Sequence, residues 1–112
     1  MAEYRPHIKK KDISFYKELV LNHIPNEPSK TSSKDIAYNC NLKPRDVRFL
    51  IQSLRDEGYP ICATPENGYW MARTSFDMTD TLTTLKAHIE SCQTTYDALY
   101  ISYNRLKKAE ER

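Results

Sequence analysis

The sequence predicts a mainly α-helical fold with a small β-hairpin: a winged helix-turn-helix followed by a long C-terminal helix. Three observations lead to this prediction. Residues 31–58 carry a short and then a longer helical pattern, separated by a tight turn. Residues 61–72 hold two short alternating segments around Pro-Glu-Asn-Gly, which is typical of a β-hairpin. Residues 78–106 carry apolar side chains at alternating spacings of four and three, the heptad pattern of coiled coils.

Length and composition limit the classes of function. The chain has 112 residues, enough for one small domain and an extension. Its two glycines leave no glycine-rich phosphate loop, and its three histidines lack catalytic partners at a recognisable spacing, so we expect no enzyme. Three widely spaced cysteines predict neither a disulfide framework nor a zinc site, and no cofactor is expected. Without a visible secretory signal or membrane-spanning segment, a cytoplasmic protein is expected.

Charge is distributed unevenly along the chain. Residues 1–48 contain 10 Lys/Arg against 6 Asp/Glu, whereas residues 49–112 contain 7 against 9. A basic N-terminal half suits a surface that faces phosphates. The predicted organisation is a basic flexible arm at 1–11, a winged helix-turn-helix domain at 12–75, and a long C-terminal helix at 76–112 that is expected to dimerise.

The first helix is predicted to run from Asp12, a suitable N-cap, to about His23. Pro25 and Pro28 follow and prevent its continuation. The loop that follows has room for a short strand near residues 30–31. The apolar residues of this helix recur on one face: Ile13, Tyr16, Val20 and Ile24.

The second and third helices are predicted from their end signals. Ser32 or Ser33 can cap the second helix, and Asn41 tolerates the left-handed conformation needed in the turn. Pro44 fits the first position of the third helix, and Gly58 fits the position just after its end. The residues expected to face the core are Ile36, Ala37, Cys40, Leu42, Val47, Leu50, Ile51 and Leu54.

If the apolar residues of the third helix face the core, a helical wheel places a second set of its side chains on the outward face: Arg45, Arg48, Phe49 and Gln52. In a DNA major groove, arginine pairs with guanine, glutamine pairs with adenine, and an apolar side chain contacts the thymine methyl group. Lys34 and Lys43 are expected on phosphates. These six residues are the candidate DNA-binding set.

Thr31–Ala72 resembles the N-terminal winged helix of biotin-operon repressors and related bacterial regulators. The similarity rests on Leu42 and Val47 in the pattern L-x-x-x-x-V, on IQSLRDEG, and on the closing GYWMA. The chain is also similar to small winged-helix proteins of phages and mobile elements of Gram-positive bacteria. The resemblance implies that the N-terminal half of the third helix enters the major groove and that the wing touches the flanking backbone.

The expected function is therefore sequence-specific binding of double-stranded DNA in transcriptional or phage and mobile-element regulation. One alternative is a protein-interaction module of a phage or replication machine, without DNA binding, that uses Phe49 and Trp70 as contacts. Glu66 at the hairpin tip, where no Lys or Arg lies, favours that alternative. A second alternative is a dimeric adaptor with no nucleic-acid role.

The heptad residues of the C-terminal helix predict a homodimer through a coiled coil. The alternative is a helix that folds back on its own domain. The flanking positions carry little charge, mainly Lys86 and Lys107, and Cys92 could form an interchain disulfide if two helices run parallel. The residues expected at the interface are Leu82, Leu85, Ile89, Cys92, Tyr96, Leu99, Tyr103 and Leu106.

Overall fold

The computed structural model describes residues 8–111, so the part of the basic arm in residues 1–7 lies outside the described residues. By its contacts the chain divides between Thr79 and Asp80 into two compact units. The elements are a 3-10 turn at Lys10–Asp12, α1 at Ile13–Asn22, α2 at Ser33–Cys40, α3 at Pro44–Asp56, β1 at Ile61–Thr64, β2 at Gly68–Met71, a 3-10 turn at Phe76–Met78, and α4 at Thr79–Glu110. Residues 8–111 are thus mainly helical, with one two-stranded antiparallel hairpin, as predicted.

The core of the first unit lies where α1, α2 and α3 meet. Partly buried apolar residues, including Ile13, Tyr16 and Leu42, pack around its edge. The stripes expected from helical spacing are therefore confirmed for all three helices. The buried cluster comprises Val20, Ile24, Ile36, Ala37, Cys40, Val47, Leu50, Ile51, Leu54 and Ile61.

A reciprocal cap fixes the beginning of α2. The N–H of Asp35 donates to Oγ of Ser32 at 3.2 Å, and the N–H of Ser32 donates to Oδ2 of Asp35 at 2.9 Å. These bonds satisfy backbone donors that a helix N-terminus otherwise leaves open. At the other end Asn41 adopts a left-handed conformation with φ 55°, as its place between two helices predicts.

The third helix is bounded by a proline and a glycine. Pro44 occupies its first turn, where its missing N–H costs no helical hydrogen bond. Gly58 has φ +105° just after the C-cap Glu57, a conformation that glycine adopts without steric cost. Nε of Arg55 donates to the carbonyl oxygen of Ile61 at 2.8 Å and so ties the last turn of α3 to β1.

The hairpin is joined to the segment that precedes α2. Its strands pair from Ile61 with Met71 to Thr64 with Gly68. Thr31 forms a parallel bridge with Gly68, and its carbonyl oxygen accepts a hydrogen bond of 2.8 Å from the N–H of Tyr69. The expected short strand near residues 30–31 is thus present as a single bridge at the hairpin edge.

Three details near the ends of elements differ from the sequence prediction. Lys10–Asp12 form a 3-10 turn and Ile8 packs against the core, so residues 8–11 are not a free arm. Asp12 occupies the N-cap position of α1 but makes no side-chain capping bond, because the preceding turn holds it in a helical conformation. The long helix begins at Thr79 rather than at Phe76, since Phe76–Met78 form a 3-10 turn.

The second unit consists of α4 from Asp80 onward. This helix has 32 residues and extends about 48 Å at 1.5 Å per residue. Its apolar side chains are exposed along the whole length of the stripe. Among the residues that the structure describes, no helix combines the length and apolar character needed to cross a bilayer.

Candidate nucleic-acid interface

The outward face of α3 carries Arg45, Arg48 and Gln52, which are all exposed. We call these three residues the groove face. They are spaced three and four residues apart, so they lie in one row along the helix. The opposite face is formed by the buried stripe of α3, which anchors the helix to α1 and α2. The packing of the core therefore determines which side chains α3 presents to solvent.

Acidic residues of α3 are kept away from the N-terminal half of the groove face. Asp46, in the first turn, is only 2% exposed and lies on the core side. Asp56 is exposed but stands at the C-terminal end of the helix. Glu57, just after it, is paired with Lys17 of α1 at 3.0 Å. Positive charge on the exposed surface of α3 is thus concentrated in its first two turns.

The exposed side of α2 carries a residue that the sequence analysis missed. Tyr38 is 88% exposed, the largest value among the exposed large hydrophobic side chains, and it lies one helical turn after the exposed Lys34. The pair presents an ammonium group and a phenol hydroxyl on one face of the helix. The clue in the sequence was that Tyr38 falls opposite the buried residues Ile36 and Cys40 on the helical wheel.

Lys43 lies at the N-cap position of α3, exposed, without a side-chain capping bond. It borders a cavity of about 490 Å³ between the N-terminal segment, α1 and the turn from α2 to α3. The charged residues of this cavity are of both signs, with Lys9 and Lys43 opposing Asp12 and Asp46. Such a mixed lining does not define an anion site, so the cavity adds nothing specific to phosphate binding.

Phe49 is not a free groove-facing side chain. It is partly buried and packs against the core cluster, at the border between the groove face and the buried stripe. The prediction that it points fully outward is therefore corrected. The helical wheel placed Phe49 just outside the stripe, and an apolar side chain at such a border gains free energy by leaning toward the core.

Trp70 is buried, with 6% of its surface exposed. It lies on the hairpin face opposite Tyr69 and Met71, as strand alternation predicts, and is paired across the hairpin with Cys62. The Cys62 thiol in turn lies 3.5 Å from the carbonyl oxygen of Asp77, so residues after β2 return over this face. The hypothesis that Trp70 is an exposed partner contact is therefore wrong.

The hairpin tip is exposed and acidic. Pro65, Glu66 and Asn67 are all solvent-accessible, and within the tip the N–H of Asn67 donates to Oγ1 of Thr64 at 3.1 Å. No Lys or Arg lies between Thr64 and Tyr69. Electrostatically, this tip is unsuited to gripping phosphates.

Two carboxylates near element ends have lowered pKa values. The pKa of Asp35 is lowered by hydrogen bonds from the N–H and the hydroxyl of Ser32. The pKa of Asp77 is lowered by the N–H groups of Arg73 and Thr74. Both carboxylates complete local turns, so they hold structure and are not suited to acid–base chemistry.

Every residue of the heptad stripe of α4 is exposed. We call this set of residues the seam: Leu82, Leu85, Ile89, Cys92, Tyr96, Leu99, Tyr103 and Leu106. Tyr100 stacks between Tyr96 and Tyr103, with ring centroids 6.0 and 5.9 Å apart. Sγ of Cys92 lies 3.6 Å from Nε2 of His88. Within residues 8–111, no three His, Cys, Asp or Glu side chains are grouped so that they could hold a metal ion.

No protein-family model, curated protein or solved structure matches the chain at a significant level.

Proposed function

We propose that the first unit is a winged helix-turn-helix that binds double-stranded DNA sequence-specifically, in transcriptional or mobile-element control. The observation that carries the proposal is the groove face, a row of Arg45, Arg48 and Gln52 on a helix whose opposite side is buried. The order of elements supports it as well. An extended residue at Thr31 is followed by two helices around a left-handed Asn41 and then by a hairpin that pairs back with Thr31.

The groove face has the dimensions of a reading surface. Arg45 and Gln52 are seven residues apart, about 10 Å along a helix axis. That distance matches about three base pairs at 3.4 Å each. Arginine donates in bidentate fashion to guanine and glutamine pairs with adenine, so these side chains can distinguish bases in the major groove. The core residues beneath them hold α3 in place, which favours a fixed register on the duplex.

The phosphate contacts are assigned to the residues around the groove face. Lys43, just before α3, and Lys34, on the exposed side of α2, supply positive charge on either side of the turn between the helices. Tyr38 can donate its hydroxyl to a phosphate oxygen. The acidic hairpin tip is left out of this contact set, so affinity depends on α2 and α3 rather than on the wing.

A pair of double variants tests the proposal. Arg45→Ala with Arg48→Ala removes two positive charges from the groove face. Arg105→Ala with Lys108→Ala removes the same charge from exposed positions of α4. We expect the first variant to bind duplex DNA at least about 30-fold more weakly, since each of the two bidentate base contacts contributes about 1–3 kcal/mol. The second variant should bind within a few-fold of the wild type.

The DNA for this comparison comes from selection of bound duplexes out of a random pool by the full-length protein. Binding is then measured by fluorescence anisotropy at fixed salt. Equal losses in the two variants would mean that net charge alone drives binding, and the sequence-specific proposal would fail. Circular dichroism of both variants verifies that the helices are retained.

The protein-interaction alternative loses its two proposed anchors. Trp70 is buried and Phe49 packs against the core, so neither offers the accessible aromatic surface that a binding hot spot requires. The three side chains of the groove face, by contrast, are all exposed. DNA binding is therefore the function that these residues support best.

A further inference from the structure

We infer that the seam of α4 binds the same seam of a second copy of this chain, with the two helices antiparallel. This inference concerns residues 80–110 and does not depend on DNA binding by the first unit. The first argument is exposure. Leu82, Ile89, Leu99 and Leu106 are 55, 66, 64 and 64% exposed, so the apolar stripe of α4 is uncovered over four heptads. Soluble monomers rarely expose continuous apolar surface of that extent.

The size of the seam matches a stable interface. Its eight side chains, each about half exposed, offer on the order of 800 Å² per helix, the area that one partner contributes to a standard interface. Most helices gain their stability from packing of an apolar face rather than from intrinsic propensity. The threonine-rich start of α4, with Thr79, Thr81, Thr83 and Thr84, has poor intrinsic propensity. A partner along the seam supplies the missing packing.

The residues beside the seam favour a second copy over a different protein. Coiled coils that select a different partner do so through opposite charges at the flanking heptad positions. In α4 these positions hold Lys86 and Lys107 and otherwise neutral residues, with no acidic side chain. Nothing there selects an oppositely charged helix. An interface of two identical surfaces needs only that the surface be complementary to itself.

The sizes of the seam residues favour the antiparallel orientation. In a parallel dimer each seam residue would face the same residue of the second copy. A wide layer of two Tyr96 side chains would then lie next to a narrow layer of two Cys92 side chains. In the antiparallel arrangement with full overlap, Tyr96 faces Cys92 of the second copy and Tyr103 faces Leu85. Large side chains then meet smaller ones in adjacent layers, as dense packing requires. The remaining layers pair Leu82 with Leu106 and Ile89 with Leu99.

The stack of Tyr96, Tyr100 and Tyr103 fits the same arrangement. Tyr100 lies at a flanking position and bridges the two seam tyrosines at 6.0 and 5.9 Å. Its ring therefore widens the apolar surface along the C-terminal half of α4. In the dimer the Tyr100 ring would lie at the edge of the interface and exclude water from the paired seam residues.

The first test is the oligomeric state of the full-length protein by sedimentation equilibrium. We expect a dimer in the wild type and at least a 100-fold weaker dimer in Ile89→Glu. Ala87→Glu is the matched control, because Ala87 is also exposed on α4 but lies away from the seam, and it should remain dimeric. A monomeric wild type, or equal behaviour of the two variants, would overturn the inference.

The second test reads the orientation by cross-linking in a Cys92→Ser background. Leu82→Cys alone should stay uncross-linked under oxidised glutathione, because in the antiparallel dimer its counterpart lies about 36 Å away along the axis. Leu82→Cys with Leu106→Cys should give a covalent dimer, since those positions face each other. A covalent dimer from Leu82→Cys alone indicates parallel helices, and no cross-link from the double variant indicates a different register. The first result contradicts the antiparallel orientation, and the second contradicts the full-overlap register in which Leu82 faces Leu106.

Discussion

The N–H of Tyr69 donates to the carbonyl oxygen of Thr31 at 2.8 Å, and this bond fastens the β-hairpin to the segment that enters α2. A second bond, from the N–H of Lys30 to the carbonyl oxygen of Asn67 at 2.9 Å, lies beside it. Between them Gly68 approaches the Thr31 backbone so closely that an added Cβ would overlap it. The position of the hairpin therefore depends on the absence of a side chain at Gly68.

Replacing Gly68 with alanine should destabilise the first unit by about 3 kcal/mol or more, because strain at φ +68° adds to the overlap with Thr31. Gly58→Ala is the control: it too has a positive φ, of +105°, but no atom lies within 4 Å of the added Cβ. We expect it to lose about 1–2 kcal/mol. Urea unfolding of both variants measures the difference, and equal losses would show that the close approach to Thr31 does not matter.

Binding of duplex DNA should weaken steeply with salt. If Lys34 and Lys43 each neutralise a phosphate, as proposed, the logarithm of the binding constant should fall with a slope of about −2 against the logarithm of salt concentration. Lys34→Ala should reduce that slope by about one and leave the preferred sequence unchanged, since a phosphate contact does not read bases. A slope unaltered in Lys34→Ala would remove this residue from the contact set.

The cap between Ser32 and Asp35 should make stability depend on acid. Because the folded pKa of Asp35 lies below its ordinary value, the carboxylate stabilises the fold above about pH 4, and this contribution is lost as the pH falls through the folded pKa. Asp35→Asn removes that contribution. The gap in melting temperature between wild type and variant should be constant from pH 8 to 5 and should shrink below about pH 4.

Asp77 serves as an internal control for that comparison. Its pKa is lowered in the same direction by the N–H groups of Arg73 and Thr74, and it is present in both proteins, so its effect cancels in the difference. A gap that stays constant down to pH 2 would mean that the Asp35 carboxylate does not stabilise the cap.

Local signals predicted the region around α2 and α3 most accurately. Ser32, Asn41, Pro44 and Gly58 all occupy the positions expected from their side chains, because caps, left-handed turns and helix ends depend on only a few neighbouring residues. The same helical spacing identified the buried stripe of α3 and hence the exposed positions of the groove face. These features needed no knowledge of distant contacts.

Phe49 and Trp70 were harder to predict because their burial depends on distant parts of the chain. Strand alternation placed Trp70 opposite Tyr69 but could not indicate that residues after β2 return over the Trp70 side, where Cys62 lies beside the Asp77 carbonyl. The helical wheel likewise placed Phe49 at a border without deciding the direction in which it leans. Periodicity assigns faces, whereas tertiary packing decides which of them are covered.

The exposed seam of α4 has a consequence for how the protein would respond to its own abundance. If only a second copy covers the seam, the concentration of paired chains is proportional to the square of the concentration of free chains, by mass action. At low abundance the seam stays uncovered, and under the proposed function each chain would meet DNA with a single groove face. As synthesis proceeds, paired chains accumulate faster than single ones. The concentration of paired chains would therefore rise more steeply than the total concentration of the protein while that concentration is low.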